Sequence, residues 1–237
     1  MKKAAPAIAL VLALLAGSGP VLAQSSIVSQ IAGDKAASDR LCFGLKFGLS
    51  CSQLRGLGYG DRLGGFDLGL AATVKLAEKL YLSPEVTLFS RKGATEIPFV
   101  TTGDPALDPY FADPEQAELA LDYFDLPVIV KYRLGRFHVG AGPFVALLGS
   151  ATERFRAVLE SGETMRFSRD VKAGYKPRDY GLVFEGSWTV AKPRRGMGLV
   201  FHFRYQAGMT DVIKDPAAPR PVRNSVFQVS MSFPFVR

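Results

Sequence analysis

Residues Met197–Met209 alternate without interruption. Met197, Leu199, Phe201, Phe203, Tyr205, Ala207 and Met209 fall on one side, and Gly198, Val200, His202, Arg204, Gln206 and Gly208 on the other. A period of two is the signature of a strand. Extended at about 3.3 Å per residue, the stretch reaches roughly 40 Å. That suits a tilted strand crossing a bilayer, which needs roughly 9–11 residues in hydrocarbon.

Seven further segments repeat the pattern. The first, Leu41–Ser50, sets Leu41, Phe43, Leu45, Phe47 and Leu49 against Cys42, Gly44, Lys46, Gly48 and Ser50. The second, about Gly65–Leu76, carries Asp67, Thr73 and Lys75 on its polar side. The third, about Leu80–Arg91, puts Glu85, Thr87 and Arg91 there, and Pro84 demands an irregularity or an unpaired position. The fourth, about Leu119–Leu134, is clean from Leu126 onward, with Lys131 and Arg133 polar, and its first half predicts a bulge near Asp125–Pro127. The fifth is about Phe137–Leu148, the sixth about Asp179–Ala191, the seventh the opening stretch, and the eighth Asn224–Phe235.

Short and long connections alternate. Ala77–Lys79, Gly135-Arg136 and Lys192–Gly196 are tight, whereas Cys51–Gly64, Lys92–Glu118, Ser150–Arg178 and Asp211–Arg223 are long and rich in polar residues, Gly or Pro. An even strand count with this asymmetry predicts an all-β fold: an eight-stranded antiparallel up-and-down transmembrane β-barrel, with short periplasmic turns and longer outer loops. Closure removes the strand edges that lipid could not satisfy. The opposing reading is a soluble barrel with the greasy side inward. The other side here is Gly, Ser, Thr, Lys, Glu, Arg and Gln, too polar to line an apolar cavity.

The N-terminus adds a compartment. Met1-Lys2-Lys3, the apolar run Ala4–Leu15 and Val21-Leu22-Ala23 form a signal peptide cut after Ala23. The alternative, an uncleaved anchor, has a run short for a span. The expected organisation is a signal peptide over 1–23, a polar periplasmic leader over 24–40 and the barrel domain over 41–237. Without Lys2 and Lys3 the 29 basic side chains become 27 against 22 acidic ones. No basic cluster accompanies that excess, so nucleic acid is not an expected partner. Cys42 and Cys51 lie in one extended segment, roughly 30 Å apart if the strand is unbroken; a disulfide needs Cα atoms within about 7 Å.

An eight-stranded barrel is about wide enough inside for its own side chains. The inward set includes Lys46, Asp67, Lys75, Glu85, Lys131, Arg133, Glu185, His202, Arg204 and Gln206. Glu185 and Arg204 fall at one level when the sixth and seventh strands pair. Buried charges must be paired, so the expectation is a lumenal ion-pair network of Lys46, Asp67, Glu85, Lys131, Glu185 and Arg204, which disfavours an open pore. Tyr81, Tyr132, Phe137, Trp188, Phe233 and Phe235 gather at the periplasmic rim as an aromatic girdle. Both histidines, His138 and His202, point inward by parity, and Ser187 and Ser230 are not ordered into a triad. No enzyme activity, cofactor or metal site is expected.

Several motifs together resemble the PorT-like outer-membrane β-barrel family of Bacteroidota. They are GLKFGLS at Gly44–Ser50, LSPEVTLFSRKGA at Leu82–Ala94, YFDLPVIVKYRL at Tyr123–Leu134, VGAGPFVALL at Val139–Leu148, DYGLVFEG at Asp179–Gly186 and RYQAGMTD at Arg204–Asp211. The resemblance covers roughly residues 41–235. It implies a barrel in the outer membrane of a Gram-negative bacterium, with no catalytic residues to carry over. It also implies a porin-like or envelope role, the name-giving member being an accessory factor in secretion. One departure is the C-terminus, where Val236-Arg237 follow Phe235. Two functions stay open: a structural or interaction barrel whose outer loops or rim dock other envelope or secretion proteins, and a small channel or transport component.

Overall fold

The alternation builds ten strands in the computed structural model, which describes residues 41–99, 101–111, 117–159, 161–192, 196–214 and 220–236. They are β1 Leu41–Arg55, β2 Asp61–Lys75, β3 Leu80–Thr95, β4 Ala117–Leu134, β5 Phe137–Val158, β6 Thr164–Asp170, β7 Arg178–Ala191, β8 Gly196–Met197, β9 Leu199–Gly208 and β10 Arg223–Val236. The expected signal peptide and leader lie outside the described residues.

β1 to β5 pair in chain order, followed by β7, β9 and β10, and β10 returns to pair antiparallel with β1. The wall is a closed eight-stave antiparallel barrel. β6 stands off this circuit and pairs with the far end of β5. The tight turns close in the predicted register, with Lys75 opposite Tyr81 and Leu134 opposite Phe137. Gly135 holds φ +68°, a conformation that favours glycine.

The two faces of the wall are inverted relative to a water-soluble protein. Leu49, Phe137 and Phe203 are 69%, 58% and 53% exposed, while Lys46, Glu85, Lys131, Glu185 and Arg204 are buried. Large apolar side chains repeat along the outside of every stave, for example Leu45, Phe66, Phe89, Val130, Val139, Phe184 and Phe227. Such a surface is stable against hydrocarbon and not against water, which excludes the soluble-barrel alternative.

Pro84 shows how the ladder absorbs a missing donor. Between the pairs Val74–Leu82 and Ala71–Glu85 the β2–β3 ladder lapses. The Ser83 hydroxyl donates to the Ala72 carbonyl at 3.2 Å, taking the acceptor that a Pro84 N–H would have served.

The course of the strands departs from the sequence reading in several places. The opening stretch is not one strand: β8 and β9 are parted at Gly198, whose N–H donates to the Pro234 carbonyl. The register also slips by one residue between Thr189 and Ala191. The irregularity expected near Asp125–Pro127 is present but lies in the strands beside β4: one extra residue in β5 at Gly149, opposite Asp122 and Tyr123, and a second bulge in β3 between Thr87 and Ser90, opposite Tyr123–Asp125. That second bulge reverses the parity of β3, so Ser90 and Lys92 are buried and Arg91 turns outward to pair with Asp122 at 2.8 Å.

Finally, the long loops are largely strand. Cys51–Gly64 contracts to a turn over 56–60, β4 begins at Ala117, and β5 runs 22 residues to Val158 before returning as β6. Beyond the membrane the amphipathy of the wall inverts. On β5, Phe155 and Ala157 are buried inside while Arg156 is exposed outside. A search for greasy-outside alternation therefore ends where the lipid ends. β1 carries both Cys42 and Cys51 without a break, which keeps them apart.

Candidate functional site

The lumen is filled by side chains in layers. In the lower layer two carboxylates are held by three cations. Lys46 Nζ lies 3.1 Å from Glu85 and 3.3 Å from Glu185. Lys131 Nζ lies 3.3 Å from Glu85 and 2.7 Å from Glu185. Arg204 donates from Nη2 to Glu85 at 2.6 Å, and from Nε at 2.9 Å and Nη2 to Glu185. His202 adds Nδ1 to Glu185 at 3.0 Å and Nε2 to the Ser232 hydroxyl at 2.7 Å. The register explains this convergence. Glu185 is directly opposite Arg204 on one side and Gly140 on the other, and Gly140 is opposite Lys131. With no side chain at Gly140, Lys131 reaches across it.

Five of the six residues expected in the network therefore meet. Asp67 does not join: both of its carboxylate oxygens are buried without a hydrogen-bond partner among the described residues, as are the Ser50 hydroxyl and the Gln206 amide. It sits one step further out, opposite Ser90 on β3. In formal charge, the buried cations Lys46, Lys92, Lys131 and Arg204 stand against five buried carboxylates, Asp67, Glu85, Asp125, Asp179 and Glu185.

The second layer was not legible in the sequence. Lys92 and Asp125 have fully buried side chains and pair at 3.0 Å, and the Ser90 hydroxyl donates to Asp125 at 2.9 Å. Lys92 Nζ lies over the rings of Tyr123 and Phe144, 4.8 and 4.9 Å from their centroids, a favourable place for a desolvated cation. The β3 bulge carries Lys92 inward, and strict alternation hides it. Nearby, Asp179 accepts from Asn224 Nδ2 at 2.8 Å and from the Thr210 hydroxyl at 2.5 Å.

An apolar cap closes the outer end. Phe99 packs edge-on against Phe155 at 5.1 Å, Phe111 lies 6.0 Å from Phe167, and Phe155 stacks on Phe167 at 6.0 Å. Val212 and Val222 are buried in the same cluster. Two carboxylates pin the segments that deliver these residues. Asp108 opens the short 3-10 turn Asp108–Phe111 and accepts from the Thr102 hydroxyl at 2.6 Å, the Thr102 N–H at 2.7 Å and the Thr101 hydroxyl at 2.9 Å. These bonds, the Thr102 hydroxyl first, hold its carboxyl below the usual carboxylate range. Asp211 accepts from the N–H groups of Val222 at 3.0 Å and Ile213 at 3.3 Å. Desolvation alone would raise its carboxyl, but those two bonds and Lys176 outweigh it and keep it low.

At the inner rim, Tyr132, Phe137 and Trp188 face outward and are exposed, with Phe137 stacked on Trp188 at 6.2 Å. Phe233 is half-buried and stacks on Phe47 at 5.4 Å. The Phe235 backbone pairs with Phe43 and Met197. Tyr81 departs from the expected girdle. Opposite Lys75 and Lys131, it shares the inward parity, and its ring meets His138 edge-on at 5.8 Å under the Arg133 guanidinium. Among the described residues no group of three or more His, Cys, Asp or Glu side chains could hold a metal ion.

Among solved structures, Neisserial surface protein A is similar at 13% identity over 81% of this chain and 95% of its own, with a TM-score of 0.41. The outer membrane protein OprG from Pseudomonas aeruginosa is similar at 13% identity, over 85% and 99%, with a TM-score of 0.39. The attachment invasion locus protein of Yersinia pestis is similar at 10% identity, over 83% and 99%, with a TM-score of 0.39. No curated protein matches the chain. The family profile described as "Outer membrane protein beta-barrel domain" matches residues 23–214. With a closed barrel that is greasy outside and charged inside, the chain belongs to the outer membrane protein beta-barrel domain family and resides in the outer membrane of a Gram-negative bacterium.

Proposed function

We propose that the protein serves the cell envelope as a closed barrel that presents its outer hairpins to another envelope or secretion component. This is the accessory role that the PorT-like resemblance implies. The observation that carries the reading is the filled lumen: a five-residue ionic layer, a second buried pair and an aromatic cap lie in series along the barrel. Lys46, Glu85, Lys131, Glu185 and Arg204 then act as structural fill that fixes strand register, with Asp67 buried one step further out. Tyr132, Phe137, Trp188 and Phe233 anchor the inner rim in the headgroup region. Residues 1–23 act as the export signal, and 24–40 as a periplasmic leader. No catalytic step belongs to this reading.

The rival reading, a small channel, requires the layers to part. Planar-bilayer recording of the folded full chain separates the two. A closed barrel gives no single-channel steps, and steady ohmic conductance would overturn the proposal. Crosslinking in intact cells, expected to capture a partner through the outer hairpins, tests the interaction half.

A further inference from the structure

The hairpin of β5 and β6 places two arginines where a sheet does not favour them. Arg156 is directly opposite Arg166 in the ladder, and both are exposed. Like charges directly opposite destabilise a strand pair. The neighbouring arginines are neutralised: Arg154 pairs with Glu118 at 2.8 Å and Arg169 with Glu153. Arg156 and Arg166 have no carboxylate or hydrogen-bond partner among the described residues. They border an open concavity of about 580 Å³, which the polar Arg154, Ser168, Thr95 and Glu118 and the apolar Ala117, Phe155 and Phe167 also line.

We propose that this face binds phosphate groups on the saccharide of an outer-leaflet glycolipid, with Arg156 and Arg166 as its paired donors. Three features support that ligand. Guanidinium forks match phosphate oxygens in bidentate geometry, and an anion between them turns their repulsion into attraction. Phe155 and Phe167 anchor the hairpin in the aromatic cap, so the backbone that carries the two donors is fixed before binding.

Position chooses the source of the phosphate. Outward-facing residues of β5 run from Phe137 to Leu147 in lipid and continue, past the slip at Gly149, through Arg154 and Arg156. At about 3.3 Å per residue and a tilt near 40°, Arg156 stands roughly 20 Å beyond Leu147. It points sideways along the wall. The neighbour there is the sugar layer of the leaflet, not bulk solvent. This inference goes beyond the envelope role proposed above and stands if the partner protein is never found.

The test uses the full folded chain in detergent micelles and measures binding of purified lipopolysaccharide with a phosphorylated inner core. The R156Q/R166Q variant is expected to bind at least tenfold more weakly, and R136Q, at the opposite rim, to bind like the parent. Chemically dephosphorylated lipopolysaccharide should bind the parent as weakly as the intact ligand binds the double variant. R166S should keep the heat-modifiable mobility of the parent and resist unfolding at least as well, since it relieves the like-charge contact. Undiminished binding by R156Q/R166Q, or equal binding of the dephosphorylated ligand, would overturn the site. Equal affinity for the delipidated phospho-oligosaccharide would overturn the glycolipid assignment.

Discussion

Substitutions in the lower ionic layer should have unequal costs, because the layer is unbalanced. Two carboxylates serve three basic side chains, and Glu185 is touched by Lys46, Lys131, Arg204 and His202. Glu185→Gln leaves three cations around Glu85 alone. Two unit charges about 6 Å apart at an effective dielectric near 20 repel by about 3 kcal/mol, and breaking buried pairs by removing one partner costs about 3–5 kcal/mol. About 4 kcal/mol is therefore expected for E185Q. Arg204→Met removes hydrogen bonds to both glutamates but leaves two lysines for two carboxylates. Its cost should be about 2 kcal/mol, the range for one charged hydrogen-bonding group. In E185Q/R204M the cation excess is partly relieved, so the double variant should cost less than the sum by at least about 1.5 kcal/mol. The assay is urea unfolding in lipid vesicles, followed by the fluorescence of Trp188. This is the chain's single tryptophan, three residues from Glu185 on β7 and exposed on the lipid face. If R204M costs as much as E185Q, or if both cost under about 0.5 kcal/mol, the charge-balance account of the lumen is wrong.

Three further outcomes are expected. Asp211 has a carboxyl held below its unfolded value, so its contribution is complete above about pH 3.9 and is lost as pH falls through its folded value; amide exchange at Val222 and Ile213 should stay protected from pH 5 to 8 and accelerate in stronger acid, and D211N should lose that protection at pH 7. If D211N exchanges like the parent at neutral pH, Asp211 is not the pin. Gly142→Ala would drive a Cβ to 1.9 Å from the Val128 carbonyl oxygen, whereas a Cβ at Gly186 meets nothing within 4 Å; G142A should lose about 3 kcal/mol or fail to reach the heat-modifiable form, with G186A folding normally. Phe111→Ala should cost about 3 kcal/mol in the outer cap, raising exchange in β6 while the membrane-facing staves keep their protection; uniform protection in β6 would show that the cap does not support the hairpin.

The sequence by itself determined the staves and their faces. Lipid demands an apolar residue at every second position, and that demand is local, so Leu45, Val139, Phe184 and Phe227 report it one by one. Turn lengths such as Gly135-Arg136 then set the register, and parity alone turns Lys46, Glu85, Lys131, Glu185 and Arg204 inward together. What parity cannot carry is a slip. One extra residue between Thr87 and Ser90 moves Lys92 into the lumen and Arg91 out of it, and no residue type in that stretch announces the bulge. Tyr81 likewise followed its parity inward, away from the aromatic rim. Above the membrane the rule itself changes. With no lipid outside, the wall of β5 and β6 puts Phe155 and Phe167 inward and Arg156 and Arg166 outward, so greasy-outside alternation read it as loop. Only the tertiary structure decided which segments cap the barrel and which arginines face each other. Those contacts join residues far apart in the chain, and the energy that selects them exists only once the barrel has closed.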